Sequence, residues 1–300
     1  MSETKEPIGC NGRGAAEATF SPKNQKTTNP IKRFRLFACC IPVKGARRSV
    51  VCDLQRQTFR FIPNGLYEIL VEHCNKTLEE IKKNYKHECD REIDEYFEFL
   101  VKEEFGFWCD DVSRFPEIDQ TWQRPEQIIN AIIDVDSQSS HDFASIFHQL
   151  DQLGCKALQI RFYYPCSIER LSKILEPTQS GRLRSIDLLL CYDEGIFFKD
   201  LEDLCLRHPR ISNILIHSAP LEDTSEIKGT GVTIVYAKQA VQSCASCGEV
   251  HPAYFVTNVD FFTEAQKFNT CLNRKISIDV QGEIKNCPSS RKSFGNIQTV

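Results

Sequence analysis

Ile128-Ile-Asn-Ala-Ile-Ile-Asp-Val135 is the stretch on which the fold turns. It is an apolar run of strand length, and Asp142 to Leu153 behind it has the make-up of a helix. The alternation then repeats. Ala157 to Tyr163 reads as a strand and Ser167 to Leu175 as a helix, with Ser167 as its N-cap. Ser185 to Cys191 reads as a strand and Lys199 to Arg207 as a helix. Ile211 to His217 and Val232 to Ala237 are further strands. Strands alternating with helices of about ten residues imply βαβ units on a mainly parallel sheet, with right-handed crossovers. Four such units are half of a closed eightfold barrel. The expected class is therefore α/β, with an open or partial (βα) barrel over residues 113–242.

Upstream, Phe34 to Val43 reads as a strand and Ser49 to Leu54 as a second. Thr58-Phe59-Arg60-Phe61-Ile62 alternates as a third. Lys44-Gly-Ala-Arg47 and Gln55-Arg-Gln57 supply the turns. Helices are expected at Leu66 to His73, from the capping box at Thr77-Leu-Glu-Glu80 through Lys86, and at Asp90 to Glu104. Ile93, Phe97, Leu100 and Val101 share one face of the last helix, and Gly106 is placed to end it. Residues 34–112 thus read as a small domain of three strands followed by three helices. If Thr58–Ile62 lies at an edge, its amides and carbonyls can accept another chain. Residues 1–33 are polar without periodicity and are expected to form a flexible tail. Pro116, Trp122 and Pro125 suggest a linker.

At 41% hydrophobic and 26% charged, the 300 residues can build a core. A net charge of -4 leaves no general basic field, which argues against sequence-independent nucleic-acid binding. No apolar run is long enough for a membrane span, and Met1 to Pro30 has no apolar core for a secretory signal. A cytoplasmic protein without a membrane partner is expected. In that compartment the fifteen cysteines are not a disulfide framework. Cys52, Cys74, Cys155, Cys191 and Cys205 lie singly in apolar stretches and read as small hydrophobes.

Residues 243–300 differ. Cys244-Ala-Ser-Cys247 is a Cys-x2-Cys pair, and Cys271 and Cys287 bracket Gly282 as Cys-x10-Gly-x4-Cys. Two thiolates from one turn and two from a hairpin complete a four-coordinate site for zinc or an iron–sulfur cluster. The competing reading is four unrelated buried thiols. Elsewhere no Gly-rich phosphate loop and no His-Glu-x-x-His occurs. His217 at a strand end reads as structural, and Asp134, Asp136, Asp187 and Asp193 read as solvated strand ends. None of these forms a catalytic constellation.

The run Cys271-Leu-Asn-Arg-Lys-Ile-Ser-Ile-Asp-Val-Gln-Gly282-Glu-Ile-Lys-Asn-Cys287-Pro, followed by Ser293-Phe-Gly-Asn-Ile297, resembles the SPASM domain, the auxiliary iron–sulfur module of radical-SAM peptide maturases. The pattern over 34–112 resembles the RiPP recognition element, a winged-helix fold that binds the leader of a ribosomal precursor peptide. In that family the leader adds to the third strand and packs on the third helix. The resemblance therefore implies a peptide-binding surface at Thr58, Phe59, Arg60, Phe61 and Ile62 with Tyr96, Phe99 and Lys102. As a whole, residues 34–300 resemble the SPASM-domain maturase of grasp-with-spasm systems, which acts beside an ATP-grasp ligase and a precursor peptide. The resemblance implies an iron–sulfur (4Fe-4S) cofactor on Cys244, Cys247, Cys271 and Cys287, with zinc as the alternative.

Two departures shape the expectation. The Cys-x3-Cys-x2-Cys loop of radical-SAM enzymes is replaced by Ser137-Gln-Ser-Ser-His141, and the Gly-Gly-Glu-Pro segment by Phe162-Tyr-Tyr-Pro165. No S-adenosylmethionine and no radical-SAM catalysis are expected, so 113–242 reads as a degenerate barrel. The later SPASM cysteines are missing before Val300, so 243–300 reads as a partial domain cut short. The resulting expectation is a non-radical maturation partner that binds the leader and presents the peptide to the ligase. An iron–sulfur redox enzyme acting on the peptide is the alternative.

Overall fold

The computed structural model describes residues 32–246 and 256–299. These divide into two compact units, one running to Trp122 and including the segment up to Lys267, the other made of Gln123 onward and Phe268 onward. The structure is mixed α/β, with small sheets in the first unit and a mostly parallel eight-stranded sheet in the second. No helix among the described residues is long and apolar enough to cross a membrane.

In the first unit, β1 (Arg33–Leu36) and β2 (Cys40–Val43) are separate strands. The single strand expected over 34–43 is broken where the Cys40 N–H turns back to the Phe37 carbonyl at 2.8 Å. A continuous apolar run cannot reveal such a break, because the break depends on which distant strand each half finds. Next come β3 (Ser49–Asp53), β4 (Thr58–Ile62), α1 (Asn64–Glu72), α2 (Leu78–Asn84), α3 (Asp90–Lys102) and β5 (Gly106–Cys109). β2, β3 and β4 form an antiparallel meander in that order. β1 pairs instead with β5, Phe34 opposite Trp108.

The Thr77/Glu80 capping box opens α2 as the spacing predicts. α3 ends before Gly106. Glu104 takes a left-handed backbone (φ 57°), and Arg56 donates to the carbonyls of Glu103 and Glu104 at 2.9 and 2.8 Å. A guanidinium there satisfies orphan carbonyls at the negative end of the helix. Val101, assigned to the buried face, is 42% exposed, whereas Ile93, Phe97 and Leu100 are core. They pack with Phe34, Ile62, Leu66, Ile69, Ile81 and Phe105.

The second unit follows the expected alternation with β6 (Asn130–Val135), α4 (Phe143–Gln152), β7 (Ala157–Phe162), α5 (Ile168–Leu175), β8 (Ser185–Cys191), α6 (Phe198–Arg207) and β9 (Ile211–His217), and then adds an unexpected strand, β10 (Asp223–Ile227), antiparallel to the expected β11 (Val232–Tyr236). Asp142 and Ser167 cap α4 and α5 through their side chains. After α7 (Val259–Ala265), which belongs to the first unit, come β12 (Lys275–Ile278) and β13 (Ile284–Lys285). The sheet order is β10-β11-β9-β8-β7-β6-β12-β13. The region 243–300, expected to stand apart with little core, thus contributes two strands to this sheet, β12 running parallel to β6.

Register aligns Ile278, Ile133, Ile160, Leu188, Ile214 and Ile234 in one row across six strands. All are buried in a single core with Phe147, Leu171 and Leu204 from the three helices. Each such side chain contributes roughly 1.5–3 kcal/mol on burial. One residue away, on the other face, the row reads Ser277, Ile132, Gln159, Asp187, Asn213 and Thr233. One face of the sheet is therefore apolar and the other largely polar.

His208, 3% exposed, accepts or donates one hydrogen bond to the Ser172 hydroxyl at 3.0 Å, linking the end of α6 to α5. Burial, helped by Arg207, pushes its pKa below the ordinary 6.5. The folded protein holds the ring neutral while the unfolded chain takes up a proton below pH 6.5. This contribution is complete above that value and is lost as pH falls through the depressed folded value. Urea unfolding of wild type is expected to lose stability below pH 6.5, by at most about 1.4 kcal/mol per pH unit for one proton, and His208→Gln to remove that component. Identical pH profiles would count against it.

Candidate functional site

β4 is an outer strand of its sheet, and no further strand pairs with it among the described residues. Ile62 points into the core at 2% exposure. By strand alternation Arg60 shares its face, and its guanidinium meets the Glu103 carboxylate at 3.2 Å, joining β4 to the end of α3. Phe59 and Phe61 lie on the opposite face with their rings 5.5 Å apart, edge to face. Phe61 is 38% exposed, and the Arg48 guanidinium sits 3.5 Å from its ring centroid. Thr58 is exposed at the start of the strand.

The helix side of the expected surface divides differently. Lys102 is exposed and Tyr96 is half-buried against the core. Burial raises the Tyr96 pKa, with Glu92 adding to it. Phe99 is core, its ring 6.2 Å from Phe105. The structure thus joins β4 to the end of α3 through Arg60, leaves Phe61 on the other face of the strand, and takes the Phe99 and Ile62 side chains into the core.

Of the four cysteines expected to hold a metal, Cys247 lies outside the described residues. Cys244 and Cys287 are half-buried and Cys271 is exposed. The Cys244 carbonyl accepts from the Ser289 hydroxyl at 2.9 Å, which brings Cys244 to the turn after Cys287. Among the described residues the one group of three whose ligand atoms lie within 4.8 Å of one another is Cys39, Cys40 and Asp53. That group fits a metal poorly. Asp53 is buried, and its carboxylate is taken by the amides of Gln55 and Arg56 and by the Arg56 guanidinium. Burial works to raise its pKa, but those Arg56 and Gln55 contacts hold it below the usual carboxylate range. Burial and the Asp53 charge push the Cys40 thiol well up. A metal there would have to displace the Arg56 and Gln55 contacts from the carboxylate. Burial likewise pushes Cys52, Cys155 and Cys205 up to about 11, which suits inert core thiols. Cys74, read as buried, is exposed.

Gly282 of the Cys-x10-Gly-x4-Cys pattern has a backbone role. It adopts φ 84° in the β12–β13 turn, donates to the Asp279 carbonyl and accepts from Ile297. Asp279 accepts from the amides of Gln281 and Glu283 and pairs with Lys285 at 2.7 Å. The spacing of that glycine is thus explained by the hairpin itself.

The sheet's polar face carries a feature that sequence reading missed. Asp134, expected to be a solvated strand end, is 2% exposed and makes two hydrogen bonds with Arg161, at 2.6 and 2.8 Å. The signal was present: each residue is the one charge in its strand, and β6 pairs with β7 in the register that sets them opposite each other. The Tyr163 hydroxyl is buried beside them, next to the Asp134 carboxylate. Burial, then the Asp134 charge, keeps it protonated. His217 is structural as expected. Its Nδ1 accepts from the Val241 amide, so Nε2 carries the proton and donates to the Phe162 carbonyl at 3.0 Å. After β6, Ser139 donates to Asp136 and also reaches the Val280 carbonyl, which folds residues 137–141 into a compact turn. This cluster offers neutralised charge and a neutral hydroxyl, which suit a scaffold better than acid–base chemistry.

No family model matches the chain, and no curated protein matches it. Among solved structures, that of SuiB from Streptococcus suis is similar over 92% of this chain and 86% of that chain, at 9% sequence identity and a TM-score of 0.23. A likeness at that score carries no argument about fold or activity.

Proposed function

We propose that this chain is a maturation partner for a ribosomally synthesised, post-translationally modified peptide. In this reading the first unit is winged-helix-like and captures the precursor leader as an added strand on β4. The sheet of the second unit is a partial barrel that serves as scaffold, and an ATP-grasp ligase modifies the presented peptide. The observation that carries the reading is the outer position of β4, with Phe61 exposed beside it. Strand addition satisfies backbone groups that an edge otherwise leaves to solvent, and aromatic side chains flanking it supply apolar contact. The competing edge of the same sheet, β2, contains Pro42, which has no N–H to offer. The metal-dependent alternative turns on Cys247 beside Cys244, Cys271 and Cys287, and Cys247 lies outside the described residues.

The test is fluorescence anisotropy of the full chain with the labelled leader of the precursor encoded beside its gene. Micromolar or tighter, leader-dependent binding is expected. Phe61→Asp and Lys102→Glu, both at exposed positions, are expected to weaken it about tenfold, equivalent to about 1.4 kcal/mol. Absence of binding by a chain shown to be folded overturns the proposal, as does binding unchanged by both substitutions.

A further inference from the structure

We infer that the peptide seated on β4 is acidic, and that its carboxylates engage the cationic turn Lys44-Gly-Ala-Arg47-Arg48 at the C-terminal end of that strand. This inference rests on strand addition to β4 and specifies the chemistry of the strand added.

The turn joins β2 to β3. Because β3 and β4 are antiparallel with Ser49 opposite Ile62, residue 48 lies at the end of β4. Lys44, Arg47 and Arg48 are all exposed. None of the three meets a carboxylate among the described residues. Lys44 lies 5.9 Å from the Tyr67 ring centroid, and Arg48 stacks on Phe61. The opposite end of β4 is different in kind. There Arg56 pairs with Asp53 and Glu104, and Arg60 pairs with Glu103. Two arginines are thus engaged by three carboxylates there, whereas Lys44, Arg47 and Arg48 at the other end of the strand meet none among the described residues.

Like charges held close together repel, so their placement needs a rigid support. Gly45 provides one part: a Cβ there would overlap the Arg48 carbonyl oxygen, and only glycine permits the turn to close that tightly. Ser49, fully buried, provides the other. Its hydroxyl accepts from the Gly45 amide at 3.4 Å and donates to the Asn64 side chain at 2.7 Å, tying the turn to the start of α1. Three cations on a preorganised turn next to an outer strand and an exposed aromatic ring match an extended segment with aspartate or glutamate at one end. A polyanion such as RNA is the poorer match, because the net charge of -4 leaves no general basic field around this turn. Charge complementarity at such a rim sets partner choice and salt dependence.

The experiment selects binders for the full chain from a displayed library of random peptides, in parallel with the triple variant Lys44→Glu, Arg47→Glu, Arg48→Glu. Peptides enriched on wild type are expected to carry acidic residues clustered at one end, and those enriched on the variant to lose that bias or gain lysine and arginine. A selected acidic peptide is expected to bind the Arg47→Ala, Arg48→Ala protein about tenfold more weakly, the sum of a few exposed ion pairs, and to weaken as salt rises. It is also expected to slow amide exchange across residues 58–62. Enriched peptides that protect 58–62 without acidic bias would overturn the charge assignment and leave strand addition standing. Enriched peptides that leave 58–62 unprotected, or no enrichment at all, would overturn both. Displacement by a single-stranded oligonucleotide that protects the turn but not 58–62 would also overturn the inference, in favour of a polyanion site.

Discussion

Asp134→Ala is expected to destabilise the sheet unit by about 3–5 kcal/mol, the range found when one partner of a buried ion pair is removed. Asp134 and Arg161 are each almost fully buried, with side-chain exposures of 3% and 6%. Their two hydrogen bonds run between central, adjacent parallel strands. Removing the carboxylate takes from a buried guanidinium the group that neutralises it, and the interior gives no water in exchange. The double substitution Asp134→Leu with Arg161→Met removes both charges and is expected to recover most of the loss, since a buried pair is often no better than apolar side chains of similar size. Urea unfolding of the single and double variants, read with amide exchange across 130–162, checks this. A single variant within about 1 kcal/mol of wild type would show that the pair is not a keystone of the sheet.

Gly106→Ala is expected to cost about 1–3 kcal/mol, felt in the first unit. Gly106 lies opposite Leu36 at the β1–β5 pairing. A Cβ there would overlap the Phe34 ring and the Arg35 carbonyl oxygen. Neither can yield cheaply. Phe34 is 5% exposed and packs edge-on against Phe97 and Trp108, with centroids 5.0 and 5.4 Å away, and the carbonyl is fixed by the strand. Relief requires the two-stranded ribbon to part, so exchange at residues 33–36 and 106–109 is expected to quicken. Wild-type exchange at those amides, with unchanged stability, would mean that the ribbon opens without strain.

The alternation of strand and helix from residue 128 to 236 was legible because each element leaves its own period in the chain. The Thr77–Glu80 cap, the Ser167 cap and the Thr58–Ile62 strand were legible for the same reason: their partners lie within a few residues. Gly106 was misplaced for the opposite reason. Read locally it ends α3, whereas its value lies in how closely it lets β5 approach Phe34. The same holds for Gly282, whose spacing from two cysteines suggested a ligand loop and whose positive φ serves the β12–β13 turn. Phe99 was placed on the peptide-binding surface by the resemblance alone, and packing on Phe105 buries it.

By itself the sequence determined the α/β class, the strands and helices that alternate from β6 to β9, the helices of the first unit and the alternation that gives β4 its two faces. Those are properties of residues close together in the chain, where period and capping act. Tertiary structure alone decided that β1 leaves the meander for β5, that β12 continues the sheet beside β6, and that Asp134 meets Arg161. Each is a pairing between residues far apart in the chain, 27 residues in the last case. Such pairings are chosen by register and by the burial of a whole face at once, and neither quantity is carried by any short run of residues.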